Sequence, residues 1–519
     1  MKYLNRNTWR IGALGATFVV ASAGATLAQE KAVTIGLTSD PSHLYPLAGE
    51  ELSSNIMYYH LYDALVSRSP ELEFGPGLAE SWENVDDVTW RFKLREGVTF
   101  HNGNAFTAAD VVYTVEKARA SIRPDLVANV ASVKAVDDLT VEITTPKPYA
   151  VLPNDLAELL ILDEEYTDQT GDEKMDLKPM GTGPYMLKEW IKEEKLVLTA
   201  FGDYWGGAPA IQTVTFRPIT NPATRTAALL TGEVDVIQDL AVRDVDRVKS
   251  EDRFQVITRP SLLNVVLAMD TREKSPTIEG KNPMTDQRVR EAIARAIDMD
   301  AINKIVMNGL ATPSAQFVPE AHLGFVDGMD FREMYPVDIE KAKELLADAG
   351  YPDGFTMTLD ATNNRYVNDA QIAQALASML AKINVNLELN IMPKSNFWGY
   401  IRVPTENSSL IMSGWDVPSG DAGSMYGALF YSRDKKEGYG QVNRGSYSNA
   451  EMDALLDKAD STPDIAKRDE YLQEATKILM ADIPMIPMHY EQDVYAARKG
   501  VTLVPRVDKF ISAFEMDVD

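Results

Sequence analysis

The stretch DAQIAQALASMLAKINVNLELNIM, residues 369–392, decides the fold class. Its first half repeats apolar side chains at Ile372, Leu376, Met379, Leu380 and Ile383, the spacing that lines one face of a helix. Its second half alternates Val385, Leu387, Leu389 and Ile391 with Asn and Glu, the period of a half-covered strand. A helix feeding straight into a strand is the unit of a mixed α/β fold, an open sheet whose ligands sit at strand ends.

Working outward, the same signals recur. Trp90-Arg91-Phe92-Lys93-Leu94-Arg95 alternates apolar and basic side chains, as a half-exposed strand does. Asp338 is placed to cap a helix to Ala349, with Gly350 as its left-handed C-cap and Pro352 beyond. Thr285 or Asp286 opens a helix through Val289, Ile293 and Ile297 that should end near Gly309. Asp464 caps another, with Ile465, Leu472, Ala475 and Leu479 on one face. Gly181-Thr182-Gly183 lacks the third glycine of a dinucleotide fingerprint and precedes Pro184, so it reads as a tight turn needing positive φ. The 519 residues suggest about three domains or lobes, yet no Pro/Gly/Ser-rich linker separates them. That silence fits lobes which the chain enters and leaves more than once.

Lys2, Arg6 and Arg10 precede an apolar, small-residue run from Ile11 to about Leu27, with no acid before Glu30. This is the layout of a secretory signal peptide, cut after Ala28, and residues 1–28 are set apart from the fold. The run falls short of the roughly 20 apolar residues of a membrane span. No twin-arginine pair precedes it, and zero cysteines leave no residue for a lipid tether. A soluble, untethered, disulfide-free protein of the periplasm is expected. The formal charge is −26, and −29 without the leader's three basic residues. That surface repels phosphate backbones and anionic lipid, so nucleic acid and membrane surfaces are excluded as partners. Neutral or cationic small molecules are mildly favoured.

Catalytic patterns are missing. There is no thiolate, and His43, His60, His101, His322 and His489 stand far apart with no zinc-binding pair. No G-x-S-x-G elbow, phosphate-cradling loop or twelve-residue calcium loop occurs. No catalytic residue, metal site or cofactor is assigned. What stands out is Met412-Ser413-Gly414-Trp415-Asp416-Val417-Pro418-Ser419-Gly420-Asp421, after a short apolar strand. Trp415 beside carboxylates at a strand end suits a ligand cation, although a packed Trp with turn-forming neighbours reads equally well. Asn363-Asn364-Arg365-Tyr366, before the Asp369 helix, offers a fork and a ring, or a plain helix entry.

Several blocks carry a family resemblance over nearly the whole mature chain. They are Leu78-Ala79-Glu80-Ser81-Trp82; the run from Trp90 to Gly103; Phe106-Thr107-Ala108-Ala109-Asp110-Val111-Val112; and Pro179-Met180-Gly181-Thr182-Gly183-Pro184-Tyr185 with Tyr204-Trp205-Gly206-Gly207-Ala208-Pro209. Asp286 to Asp298 and Ala342 to Pro352 follow in order. Together they resemble the extracytoplasmic solute-binding proteins of family 5, the dipeptide, oligopeptide and nickel receptors of ABC importers. The resemblance implies a two-lobed, hinged α/β protein of the class II, cluster C type. Residues 29–56, 191–270 and 490–519 would form a discontinuous first lobe, 57–190 a small inserted domain anchored by Trp82 and Trp90, and 271–489 the second lobe. It also implies a monomer that captures a small-molecule ligand, first of all a peptide, and delivers it to ABC permease transmembrane subunits. In peptide receptors of this family an Asp three residues past the Trp pairs with the ligand's ammonium; here that position is Pro418. The variant loop resembles a branch whose ligands include glutathione-like peptides. The expected assignment is therefore the amine to Asp416 or Asp421, and the carboxylate to Arg365 or Arg444. Asn364, Tyr366 and Trp415 would complete the site, with Leu44 and Tyr45, from Ser39–Pro46 after the first strand, as the first-lobe contribution. The alternatives are a same-fold receptor for an oligosaccharide, opine or chelated metal, with Trp398, Trp415 and Tyr400 stacking on it, or an exported hydrolase.

Overall fold

The alternation read at residues 385–391 is a strand, Val385–Met392, paired in parallel with Phe355–Thr362, and the helix Asp369–Leu380 crosses between them. These belong to a computed structural model that describes residues 30–402, 407–433 and 439–519. The leader expected over 1–28 lies outside the described residues. Within Lys31–Asp519 one large mixed sheet runs through the body. Its order is Val385–Met392, Phe355–Thr362, Leu410–Trp415, Phe254–Met269, Met485–Arg498, Val236–Ile237, Ala32–Leu37, Thr213–Pro218, Lys195–Ala200, Tyr185–Ile191. The three strands at the first end run parallel, so their carboxyl ends emerge at one edge.

Phe254–Met269 and Met485–Arg498 are long, 16 and 14 residues, and antiparallel. Their register runs from Phe254 opposite Arg498 to Pro260 opposite Gln492, then resumes with Asn264 opposite Tyr490. Pro260 has no N–H to give the ladder, and Ser261, Leu262 and Leu263 bulge out where the pairing breaks. On one side of the break, residues between 263 and 488 pack into one core. On the other, residues 33–216 and 495–518 share a second. Beside the second core lies a four-stranded antiparallel sheet, ordered Ala79–Asn84, Thr89–Leu94, Thr140–Thr144, Ser132–Asp137. Trp90, Phe92 and Leu94 face inward from it, and the Trp82 ring sits 6.2 Å from Phe92.

Local signals hold where capping chemistry is complete. Asp338, Asp286 and Asp464 each accept a backbone N–H at the start of their helices, and Gly350 has φ +93°. Two expectations are corrected. The Asp286 helix ends at Ala296, not near Gly309, because the Asp298 carboxylate accepts the Ala301 N–H and starts a new turn. Gly181 and Gly183 are not in the left-handed region; a Cβ on Gly181 would collide with the Leu61 carbonyl oxygen, and one on Gly183 would lie 2.6 Å from the Leu61 carbonyl carbon. Glycine is required there by close backbone approach, and Thr182 between them donates to Asp63 (2.9 Å). Three expected domain junctions fall inside elements: 56/57 lies in the helix Leu52–Leu61, 190/191 in the strand Tyr185–Ile191, and 489/490 in the strand Met485–Arg498. Among the described residues no helix is long and apolar enough to cross a membrane.

His489 lies on the second long strand, buried, with its pKa pushed down to about 4 by desolvation. Below about pH 6.5 the unfolded chain takes up a proton that the folded chain refuses, so this contribution to stability is lost as pH falls toward 4. Urea unfolding of His489→Gln should show the variant gaining about 2 kcal/mol on the wild type between pH 7 and pH 5. A difference that does not change with pH would contradict the assignment.

Candidate functional site

A cleft of about 730 Å³ lies between the two cores. One wall carries Pro46, Glu50, Tyr59, Arg68, Arg123 and Glu158; the other carries Leu262, Leu263, Arg365, Asp416 and Pro418, and Asp508 and Lys509 close one end. The bulged residues of the long strand thus face the cavity, and the sheet's carboxyl edge supplies its far wall.

The Arg365 loop is built around one buried carboxylate. Asp369 accepts from Thr362 Oγ1 (2.6 Å), Arg365 N (3.0 Å) and Tyr366 N (3.2 Å), folding the chain back at the strand's end. Val367 N donates to Glu491 Oε1 (2.7 Å), which ties this loop to the second long strand opposite the bulge, and burial raises the Glu491 pKa. Tyr366 is buried; its hydroxyl accepts the Gly414 N–H (2.6 Å), and a Cβ on Gly414 would lie 2.8 Å from the Tyr366 ring. Asn364 Oδ1 accepts the Lys394 N–H (2.8 Å), starting the helix Lys394–Tyr400. Asn364 and Tyr366 therefore hold the frame, while Arg365 is exposed with its guanidinium 5.0 Å from the Tyr366 ring centroid.

The next strand end behaves alike. Trp415 closes the strand Leu410–Trp415, half-buried against the second-lobe core, and Asp416 is exposed. Beyond it the loop is fastened on both sides. His322 Nε2 donates to the Val417 carbonyl (2.7 Å), while Asn154 Nδ2, from the other core, donates to the Ser419 carbonyl (3.0 Å). Gly420 has φ +66°, and an added Cβ would lie 2.9 Å from the Phe74 ring.

Asp421 is not available to a ligand in this arrangement. It is 1 % exposed, caps the helix Ala422–Leu429 through Gly423 N (2.7 Å), and takes Arg468 Nε (2.7 Å) and Nη2 (2.9 Å) in a bidentate pair. Burial works to lower the Arg468 pKa, but the bonds and charge of Asp421, with Asp460, hold it above its usual value. Leu44 and Tyr45 are likewise displaced from their expected role. Their side chains are buried and their N–H groups both donate to Asp176 (2.8 and 3.0 Å); Pro46, next along, reaches the cleft instead. Arg444 lies near Tyr366, 5.5 Å over the Trp398 ring, and is not among the cleft-lining residues.

The opposite wall is made of residues that no motif in the sequence marks. Arg68 stacks between Tyr59 and Phe510 (5.0 and 5.7 Å), bonds the Tyr59 hydroxyl and pairs with Glu158 (3.3 Å). Arg123 pairs with Asp125 (2.8 Å) and Glu50 (3.4 Å), Lys509 with Asp493 (2.9 Å), and Asp508 with Arg506 (2.8 Å). Of the charged residues lining the cleft, Arg365 and Asp416 alone have no ion-pair partner among the described residues. One free cation and one free anion at adjacent strand ends suit a zwitterion.

Two cores joined by two long strands, with a charged cleft between, define a two-lobed binding protein. Residues 73–437 match the family model described as "Bacterial extracellular solute-binding proteins, family 5 Middle", and the chain belongs to that family. The glutathione-binding protein GsiB of Pectobacterium atrosepticum is 28% identical over 505 residues, 95% of each chain. The protein of that name from Escherichia coli K12 is 28% identical over 501 residues, 94% of each. HbpA2 from Haemophilus parasuis superposes with TM-score 0.83 at 25% identity, over 94% of this chain and 100% of that one. The binding protein DppA from Helicobacter pylori, in complex with the peptide STSA, gives 0.69 at 25%, over 94% and 98%.

The two acids of the loop should separate cleanly in stability measurements. Asp421→Ala removes the bidentate partner of buried Arg468 and leaves it only Asp460, and should lower unfolding stability by about 3 kcal/mol. Asp416→Asn should stay within about 0.5 kcal/mol of wild type. Equal losses in chemical denaturation would refute this division of roles.

Proposed function

We propose that the chain is the exported capture component of an ABC importer, a binding protein and not an enzyme, and that its cargo is a short peptide. The observation that carries this is the pairing of unpartnered Asp416 and Arg365 in one cleft of peptide size. Asp416 takes the ligand's ammonium and Arg365 a carboxylate, by charge-assisted hydrogen bonds at opposite ends of the backbone. Curated relatives named for glutathione, a tripeptide, support the class of cargo.

The two cores support lobes of 29–56, 191–270 and 490–519 with the inserted domain 57–190 on one side and 271–489 on the other, save that residues 263–269 of the first long strand pack with the second lobe. The register break at Pro260–Asn264 and Tyr490–Gln492 is the hinge, since bulged residues are the least constrained by ladder bonds. Closure about it removes water from the cleft and strengthens both charge contacts.

Calorimetry on ligand-stripped protein with di- to pentapeptides and glutathione tests the assignment. At least one should bind, and Asp416→Asn and Arg365→Met should each weaken it by about tenfold or more. Unchanged affinity in both variants would sink it. Export predicts that protein recovered from the periplasm begins at Gln29 with no lipid attached, which intact-mass spectrometry reads directly.

A further inference from the structure

A second cavity, of about 500 Å³, backs onto the first-lobe wall of the cleft. Tyr59, Arg68 and Phe510 line both spaces, so the stack of Arg68 between the two rings is the partition. Its volume lies in the range of small-molecule sites, and the peptide reading makes no use of it. The walls are rich in rings, with Phe74, Tyr204, Trp205 and Phe514 joining Tyr59 and Phe510.

The rings are fixed before any ligand arrives. Asp63 accepts from the Tyr204 hydroxyl (3.1 Å) and from Trp205 Nε1 (2.8 Å), which pins the Tyr204-Trp205 pair of the sequence signature. Phe514 meets Tyr204 edge-on, with ring centroids 5.2 Å apart. The segment that carries Phe510 and Phe514 is anchored by His60, whose Nε2 accepts the Ala513 N–H (3.0 Å) while its Nδ1 donates to the Ile56 carbonyl (2.7 Å). Ring faces attract cations, and some here already hold one: Arg95 lies 4.4 Å over Trp205, and Arg68 stacks on Tyr59 and Phe510. Among the described residues Phe74, Tyr204 and Phe514 have none.

The charges along the wall do not balance. Both lining arginines are spent: Arg68 on Glu158 (3.3 Å), and Arg506 on Asp508 (2.8 Å) and Glu515 (2.9 Å). Arg68 Nε has no hydrogen bond, but the guanidinium is matched by Glu158 and covered by the two rings. The acids are in surplus. Glu515 Oε2 is buried with no hydrogen-bond partner, and exposed Glu73 has no ion pair among the described residues. The formal charge of −26 concentrates cations around the chain as well. We propose that this cavity is a second binding site, separate from the peptide cleft, for a small organic cation: an ammonium on an apolar body the size of a single ring. Glu73 and the unoccupied ring faces take the charge, and the rest of the aromatic wall covers the body. The assignment stands whether or not the cleft takes peptides.

Calorimetry on ligand-stripped protein compares phenethylamine, a cation at neutral pH, with 2-phenylethanol, its uncharged counterpart of like size. Wild type should bind the amine, and the alcohol about tenfold or more weakly. Glu73→Gln, at an exposed position without an ion pair, should weaken the amine by about threefold. Phe514→Leu, which removes a ring face, should weaken it by about threefold or more. Asp416→Asn, in the other space, should leave the amine's affinity at the wild-type value. No binding of the amine, equal affinity for amine and alcohol, or unchanged affinity in Glu73→Gln would each overturn the proposal. So would a loss found in Asp416→Asn and absent from Glu73→Gln, which would place the amine in the peptide cleft. The comparison of the two probes on wild type needs no variant to fold.

Discussion

The pairing of Phe254–Met269 with Met485–Arg498 is the contact on which the molecule turns. Each strand is long enough to belong to both cores, so one pair of strands joins two bodies that otherwise bury their own apolar surface. Were the ladder unbroken, the bodies would form one stiff sheet. Pro260 withholds an N–H, three residues leave the register, and the strands keep their pairing above and below. Those displaced residues include Leu262 and Leu263, which line the cleft. The break in the ladder and the cleft are therefore adjacent by construction. Glu491, opposite the bulge, reaches to Val367 and so connects the same point to the loop bearing Arg365.

Much of this was legible in the chain because its signals are local. The periods at 369–392, the aspartate caps at 286, 338 and 464, and the strand at Trp90 need only near neighbours to be read. Asp416, Arg365 and the strand-end loops were legible for a related reason: parallel strands deliver their carboxyl ends to one edge. What failed depended on contacts distant in sequence. Asp421 looked like a free acid until Arg468, from another helix, claimed it. Leu44 and Tyr45 looked available until Asp176 bonded their backbone. Gly181 was a question of space beside Leu61, which no spacing within the motif reveals. The wall of Arg68, Arg123 and Glu158 is drawn from three separated segments, each internally paired, and carries no motif at all.

The charges divide by whether the fold has already spent them. Arg68, Arg123, Lys509 and Arg468 are matched to carboxylates, and mutating any of these mainly disturbs structure. Arg365 and Asp416 are held in place by neighbours that leave their charged ends alone. A buried pair stabilises little relative to apolar residues but penalises its own breaking, which makes Asp421 and Arg468 a fixed frame for the acid five residues earlier.

That frame bears on time as well as affinity. The loop from Val417 to Asp421 is bonded to His322 and Arg468 in one core and to Asn154 in the other. The loop that carries Asp416 is therefore held from both bodies, and the acid is positioned before a cargo arrives. Preformed sites of this sort gain little in the speed of encounter and much in the length of stay. Any parting of the two cores at this loop has to break the Asn154–Ser419 hydrogen bond, so one side-chain amide far from the long strands bears on how readily the cleft opens.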